Sequence, residues 1–177
     1  VAEAVGAAPG ETIIDLCAGA GGKTLAIAAG MDNRGRILAC DTDRGRLSRL
    51  APRAARAGVV IAETLLLDPG REAAALADWL GRADAVLVDA PCSGTGTWRR
   101  NPEARWRLDP AQLARTVALQ ARLLDLAADL VRPGGRLVYA VCSLLDAEGA
   151  SQVSGFLQRR PQWRAEGLAL PAGRAHD

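Results

Sequence analysis

The chain has 177 residues, 49% of them apolar, with a net charge of +2, four cysteines and one histidine, His176, beside the C-terminus. The length fits one domain with an ample core, and the small charge proves no nucleic-acid partner by itself. Widely spaced cysteines and a terminal histidine argue against a zinc site and a disulfide framework, and no apolar run reaches membrane-spanning length, so a reducing, cytoplasmic, metal-free protein is expected.

Apolar runs alternate with helical patterns along the chain, the pattern of βαβ units in an α/β, doubly wound, mostly parallel sheet. The first strand is predicted over Thr12 to Leu16, followed by the glycine-rich turn Cys17-Ala18-Gly19-Ala20-Gly21-Gly22-Lys23. A short helix from Thr24 to Ala29 follows, and Gly30 closes it. The second strand runs from Arg36 to Cys40. Residues Arg44 to Ala57 read as a helix that Pro52 should kink or split and Gly58 should stop. The third strand is expected over Val59 to Thr64 and the fourth over Ala85 to Val88. The clearest helix has Asp109 as its cap, Pro110 in its first position and Gln112 completing a capping box. Its apolar stripe passes through Leu113, Val117, Leu124 and Val131, and Pro133-Gly134-Gly135 ends it. A fifth strand over Arg136 to Val141 and a helix over Ala147 to Arg159 complete the prediction. The reading is a single domain over 1–177, cut at both ends, because the chain opens almost on its first strand and Pro171 to Asp177 add no closing element.

Two thiols carry the strongest chemical signal. Cys92 in Asp89-Ala90-Pro91-Cys92-Ser93-Gly94 and Cys142 in Tyr139-Ala140-Val141-Cys142-Ser143 each follow a strand-like run. Each should therefore stand where a strand empties into a loop, the edge at which open α/β sheets bind ligands. A thiolate with a second thiol nearby suits covalent attack on an electrophilic ring or carbonyl. Cys40 on a strand reads as a small core residue, and Cys17 as packing within its loop.

Three cofactor classes compete for the glycine-rich turn. A phosphate-binding P-loop would need glycine where Cys17 stands, although Ala85 to Asp89 imitates the metal-binding strand of such enzymes. A dinucleotide fingerprint would need glycine at Thr24. What remains is an adenosyl pocket, with the turn around the methionine part and Asp41, after the second strand, accepting from the ribose hydroxyls. Asp43 is a nearby rival. Asp68 could accept from the adenine amino group or be a solvated turn residue. Of 22 basic residues Lys23 is the only lysine, which marks a place where a compact, pKa-adjustable ammonium is wanted.

The loop, the Asp-Ala-Pro-Cys-Ser-Gly segment and the later Val-Cys-Ser, in that order, resemble the RsmB/Sun-type RNA cytosine-C5 methyltransferases over nearly the whole chain. The resemblance implies the Rossmann-like fold of S-adenosylmethionine-dependent methyltransferases, here without its terminal strand pair. It implies Cys142 as nucleophile, Cys92 assisting product release, Asp89 holding the base and touching the cofactor, and Lys23 in the active site. It also implies S-adenosylmethionine contacts from Cys17, Ala18, Gly19, Ala20, Gly21, Gly22, Lys23, Asp41, Asp68 and Asp89. The expected partner is RNA, ribosomal RNA of the small subunit before transfer RNA, with the protein a monomer. Ala20 stands where the family commonly has proline, and Val141 where it has threonine; neither change removes a reacting group.

Carbon 5 of cytosine becomes nucleophilic once a thiolate has added to carbon 6, and a donor near ring nitrogen 3 lowers the barrier. A protonated Asp89 could donate there if apolar burial raises its pKa. The segment Trp98 to Arg107 mixes guanidinium groups with indoles beside Cys92, which makes Arg99 and Arg100 candidates for RNA contact. The opposing reading has the tryptophans packed inward and the arginines paired with Glu103 and Asp109. Two other functions remain open at this point, a non-catalytic RNA-binding scaffold and a P-loop hydrolase.

Overall fold

Runs of Ile, Leu, Val and Ala that are apolar at every position, not every second one, form strands only when both faces are covered. Three of the five strands in the computed structural model are of this kind. The structure describes residues 1–167, except for the side chains of Ala104 and Arg107, so His176 and the Pro171 to Asp177 tail lie outside the described residues.

After a 3-10 turn at Glu3–Val5 come β1 (Thr12–Asp15), α1 (Gly22–Gly30), β2 (Arg36–Asp41), α2 (Arg44–Leu47), α3 (Leu50–Arg56) and β3 (Ala62–Leu66). Then follow α4 (Glu72–Ala75), β4 (Ala83–Asp89), α5 (Pro110–Leu130), β5 (Val131–Ala140) and α6 (Ala150–Arg159). Single 3-10 turns lie at Ala77–Trp79, Thr95–Thr97 and Pro102–Arg107. The five strands pair in parallel in the order β3-β2-β1-β4-β5. That is a doubly wound α/β sheet.

Each face has its own core. Ile13, Ile37, Ala85 and Leu87 pack against Ile27 and Ala28 of α1 and Met31 just after it. Ala39 packs with Leu47 of α2 and Leu50 and Ala54 of α3 on the same side. Ile14, Leu38, Cys40, Val86 and Val88 face the other way, onto Leu123, Ala127 and Leu130 of α5.

Several predicted boundaries move for identifiable reasons. The helix expected over Arg44 to Ala57 is two helices, with Asp43 capping α2 through the Arg46 amide and Pro52 in the first turn of α3. The third strand begins three residues late. Gly58, at φ 67°, returns the Val59 amide to the Ala54 carbonyl, and Val60 is left 81% exposed before the chain joins the edge of the sheet. Asp109 caps α5 through the amides of Ala111 and Gln112; among the described residues no return bond comes from the Gln112 side chain. The last helix starts at Ala150, because residues 145–149 form a tight turn whose amides close on Leu145 and Asp146.

The strand order reverses between β1 and β4: from β1 the chain steps outward through β2 and β3, and from β4 it steps the other way through β5. The carboxyl ends of those two strands bound the crevice in which such sheets hold ligands. Asp15 ends β1, Asp41 ends β2 and Asp89 ends β4, while Cys142 lies just beyond β5.

Candidate active site

The glycine-rich turn leaves β1 and is tied down at several points. The Ala18 amide donates to the Cys40 carbonyl at 2.8 Å, and the Gly19 amide donates to Asp41 Oδ2 at 2.7 Å. The second Asp41 oxygen accepts from the Asp43 amide at 2.8 Å, so the carboxylate joins the turn to the loop after β2. Arg53 of α3 donates to the Ala20 carbonyl at 2.9 Å, which holds the turn at the position where proline would have stiffened it. Gly21 precedes α1 at φ 80°, and a Cβ there would lie 2.5 Å from Cγ of buried Leu50, so only glycine fits.

Between this turn and the end of β4 lies a cavity of about 280 Å³ lined by Asp15, Cys17, Ala18, Ala20, Gly22, Lys23, Arg46 and Asp89. Lys23 Nζ and Asp89 Oδ2 are 2.5 Å apart, an ion pair between the first turn of α1 and β4. Asp89 is a third exposed and faces the Lys23 ammonium, not the apolar surroundings on which the donating role considered for it depended. Arg46 was not anticipated; its guanidinium lies against Gly19. Asp68 is exposed after β3 and does not line the cavity.

Asp15 was missed as a site residue because it reads as the last polar position of a strand. It is fully buried; Oδ2 accepts from Thr24 Oγ1 at 2.7 Å, and Oδ1 has no partner. Burial, offset in part by the Thr24 hydrogen bond, pushes its carboxyl up to about 6. The unfolded chain gives up that proton near pH 4 and the folded chain only near pH 6, so the Asp15 contribution to stability is lost as pH rises through that window. Without cofactor, the stability difference between wild type and Asp15→Asn should move in the variant's favour by roughly 3 kcal/mol from pH 4 to pH 7. Thermal melts across that range measure it, and parallel curves would acquit Asp15.

The two thiols meet. Cys92 Sγ and Cys142 Sγ are 3.1 Å apart, although 50 residues separate them in sequence. The parallel pairing of β4 with β5 sets Asp89 opposite Ala140, and the Ala90 amide continues the ladder to the Ala140 carbonyl. Burial, then the hydrogen bond with Cys142, pushes the Cys92 thiol up to about 11, so Cys92 keeps its proton at neutral pH. Cys142 is the exposed sulfur. Burial, assisted by the carboxylates of Asp15 and Asp41, drives Cys17 up to about 12, and Cys40 higher still, so both thiols keep their protons at neutral pH.

Arg99 and Arg100 are exposed beyond Cys92 and make no ion pair among the described residues. Trp98 is half-buried, with a buried Nε1 that has no partner. Trp106 is 78% exposed, with the Arg105 guanidinium 4.6 Å from its ring. Neither sequence reading holds for both indoles: one turns in and one turns out. Among the described residues no group of three or more His, Cys, Asp or Glu side chains could hold a metal ion, and no helix is long and apolar enough to cross a membrane.

The model of the family described as 16S rRNA methyltransferase RsmB/F matches residues 3–175. The chain belongs to this family. A relative named probable ribosomal RNA small subunit methyltransferase B, from Synechocystis, is 43% identical over 94% of this chain and 37% of its own length. Among solved structures, NSun6 from Pyrococcus horikoshii with SFG is 31% identical, with a TM-score of 0.78 over 89% of this chain and 39% of that one. An S-adenosylmethionine-dependent O-methyltransferase from Thermotoga maritima, 16% identical, shares the fold alone, with a TM-score of 0.61 over 90% of this chain and 48% of that one. The chain spans under two fifths of the length of the curated relatives it matches.

S-adenosylmethionine is the cofactor of this RsmB/F family and fold. The cavity fits it, since the cofactor bears a sulfonium and an ammonium and Asp15 offers a buried carboxylate oxygen that lacks a donor.

Proposed function

We propose that the chain is the catalytic domain of a methyltransferase that modifies carbon 5 of a cytosine in ribosomal RNA of the small subunit, through a covalent adduct. Its closest support is one observation: two thiols 3.1 Å apart, one protonated and one exposed, just beyond β4 and β5, with Asp89 at the end of β4 paired to Lys23 of α1. The substrate class follows the family, and such a protein works in the cytoplasm on single-stranded or flipped bases.

In this reading Asp15, the turn from Cys17 to Lys23, and Asp41 hold the cofactor, which supplies a methyl group on a positively charged sulfur. Asp89 accepts from the exocyclic amino group of cytosine, which is a donor, and Lys23 donates toward ring nitrogen 3, which is an acceptor. The Cys142 thiol gives its proton to water, its sulfur bonds to carbon 6, and the displaced electron pair spreads over the ring toward the Lys23 ammonium. Carbon 5 then takes the methyl group. Its proton passes to Cys92, which has first released its own proton to water. The sulfur bond to carbon 6 breaks as the ring double bond re-forms, returning Cys142 as thiolate. Arg99 and Arg100, exposed after Cys92, meet the RNA phosphates in this reading.

The test uses the full-length protein, S-adenosylmethionine and small-subunit RNA containing 5-fluorocytidine. A fluorine at carbon 5 cannot leave as a proton, so a denaturation-resistant protein–RNA adduct should accumulate at a single cytosine. Methylation without any adduct would refute the covalent route. Binding of RNA with neither methylation nor adduct would instead support a non-catalytic scaffold.

A further inference from the structure

Behind the two thiols lies a buried polar cluster that the reaction does not use. Glu148, in the turn before α6, has no exposed surface, and neither has Gln120 of α5. Burying a carboxylate is costly unless donors surround it. Glu148 Oε1 accepts from the Ser93 amide at 2.8 Å and from Gln120 Nε2 at 3.0 Å, while Oε2 accepts from Ser93 Oγ. Burial alone would raise this carboxyl, but the hydrogen bonds from Ser143, Ser93 and Gln120 outweigh it and hold it below the ordinary glutamate range. Tyr139 of β5 donates to the Glu148 carbonyl at 2.7 Å, fixing the turn to the sheet.

The donors belong to the segments that carry the sulfurs. Ser93 follows Cys92 directly, and Gln120 Nε2 also donates to the carbonyl of Pro91, the residue before it, at 2.8 Å. The chain is therefore gripped on both sides of Cys92. Ser143 follows Cys142 directly, and its hydroxyl lies 3.2 Å from both Ser93 Oγ and Thr95 Oγ1. Thr95 Oγ1 accepts from the Leu144 amide at 2.8 Å, and the Gly96 amide donates to the Cys142 carbonyl at 3.1 Å. Gln152 of α6 completes the cluster, donating to the Val117 carbonyl at 2.7 Å.

We propose that Glu148 is a positioning residue for the thiol pair: its carboxylate braces the loop after β4 against the loop after β5 and so sets the separation of Cys92 and Cys142. The role rests on the two-thiol reading above, but the geometry it claims exists in the resting protein. A dry, fully bonded anchor one residue from each sulfur allows little movement. Displacement by about 1 Å costs on the order of 100-fold in rate when reacting groups must be aligned.

Glu148→Gln keeps the shape but replaces one acceptor by an amino group, which must face the Ser93 amide or hydroxyl, donor against donor in part. Two measurements on the full-length protein decide the matter. The first is disulfide formation between Cys92 and Cys142 with diamide, which takes up both thiol hydrogens and is itself reduced to the hydrazine, followed by peptide mass spectrometry without RNA. The variant should close the disulfide about 10-fold more slowly than wild type. The second is steady-state methylation at a temperature where the variant is folded: kcat should fall about 30-fold, with KM for S-adenosylmethionine within twofold. Ser93→Ala, which keeps the backbone bond to Glu148, should fall between the two proteins in both assays.

A folded Glu148→Gln protein with wild-type disulfide rate and kcat would overturn the proposal; if it does not fold, wild-type behaviour of Ser93→Ala overturns it. A purely structural role would lower the melting temperature and leave both rates alone. Should wild type methylate no RNA, the proposed function fails, while the disulfide rates still judge the brace.

Discussion

Cys142→Ala will abolish methyl transfer, by about four orders of magnitude or more, while binding S-adenosylmethionine as tightly as wild type. Cys142 does not line the cavity around the glycine-rich turn, so removing its sulfur takes no group from the cofactor. Cys92→Ala will do something different. The adduct will form, carbon 5 will accept its methyl group, and the product will remain attached to the protein, because no sulfur is left beside carbon 5 to take the proton. The structure supplies a reason for this order of events. In the resting protein burial, and then the neighbouring Cys142 sulfur, hold the proton on Cys92. Once Cys142 has bonded to carbon 6 it is an uncharged thioether, and one influence that kept Cys92 protonated is gone. Cys92 thus becomes a better base only after the nucleophile has been used. Gel-shifted adduct in Cys92→Ala with none in Cys142→Ala is the expected pattern under denaturing conditions. Adduct in Cys142→Ala would exchange the two roles.

The sheet was legible because most of its strands obey one simple rule, runs apolar on both faces separated by helices, and three of the five lie within two residues of their expected limits. β5 begins at Val131, five residues before its expected start, and includes the Pro133-Gly134-Gly135 segment expected only to end the helix. β3 slipped because Val59 and Val60 carry strand-forming side chains yet are held by the helix stop at Gly58. α4 and the 3-10 turns are too short to leave a periodic signal. At the site, the thiols, the glycine-rich turn and Lys23 could be read because each lies in a recognisable segment that follows a strand. Asp15 could not be separated from an ordinary strand residue, since its meaning lies in an oxygen without a partner. Gln120 left a faint sign, a polar residue on the apolar face between Val117 and Leu124. Glu148 left none: nothing in a turn sequence tells a solvated glutamate from one buried under Ser93.

Lys23→Met should lower kcat for methylation by about 100-fold to 1000-fold, the range for losing a donor aimed at developing charge. Methionine fills similar space in the first turn of α1 and leaves the hydrogen bonds of the turn to Asp41 and Arg53 in place. Its loss is therefore electrostatic. The negative charge that spreads into the ring on attack at carbon 6 loses its nearest ammonium, and Asp89 loses its ion-pair partner. The same ammonium also lowers the Asp15 carboxyl, against burial, which raises it most strongly. Removing it should push Asp15 higher and weaken cofactor binding modestly at neutral pH. Lys23→Arg separates the two effects. Arginine restores a positive charge for Asp15 and Asp89, but its planar fork is bulkier than an ammonium and cannot give up its proton. Cofactor affinity should return while kcat stays low. The decisive reading is the rate of adduct formation on 5-fluorocytidine RNA. A fall matching the fall in kcat places Lys23 at the attack on carbon 6, whereas a wild-type adduct rate with slow methylation would confine it to the cofactor side of the cavity.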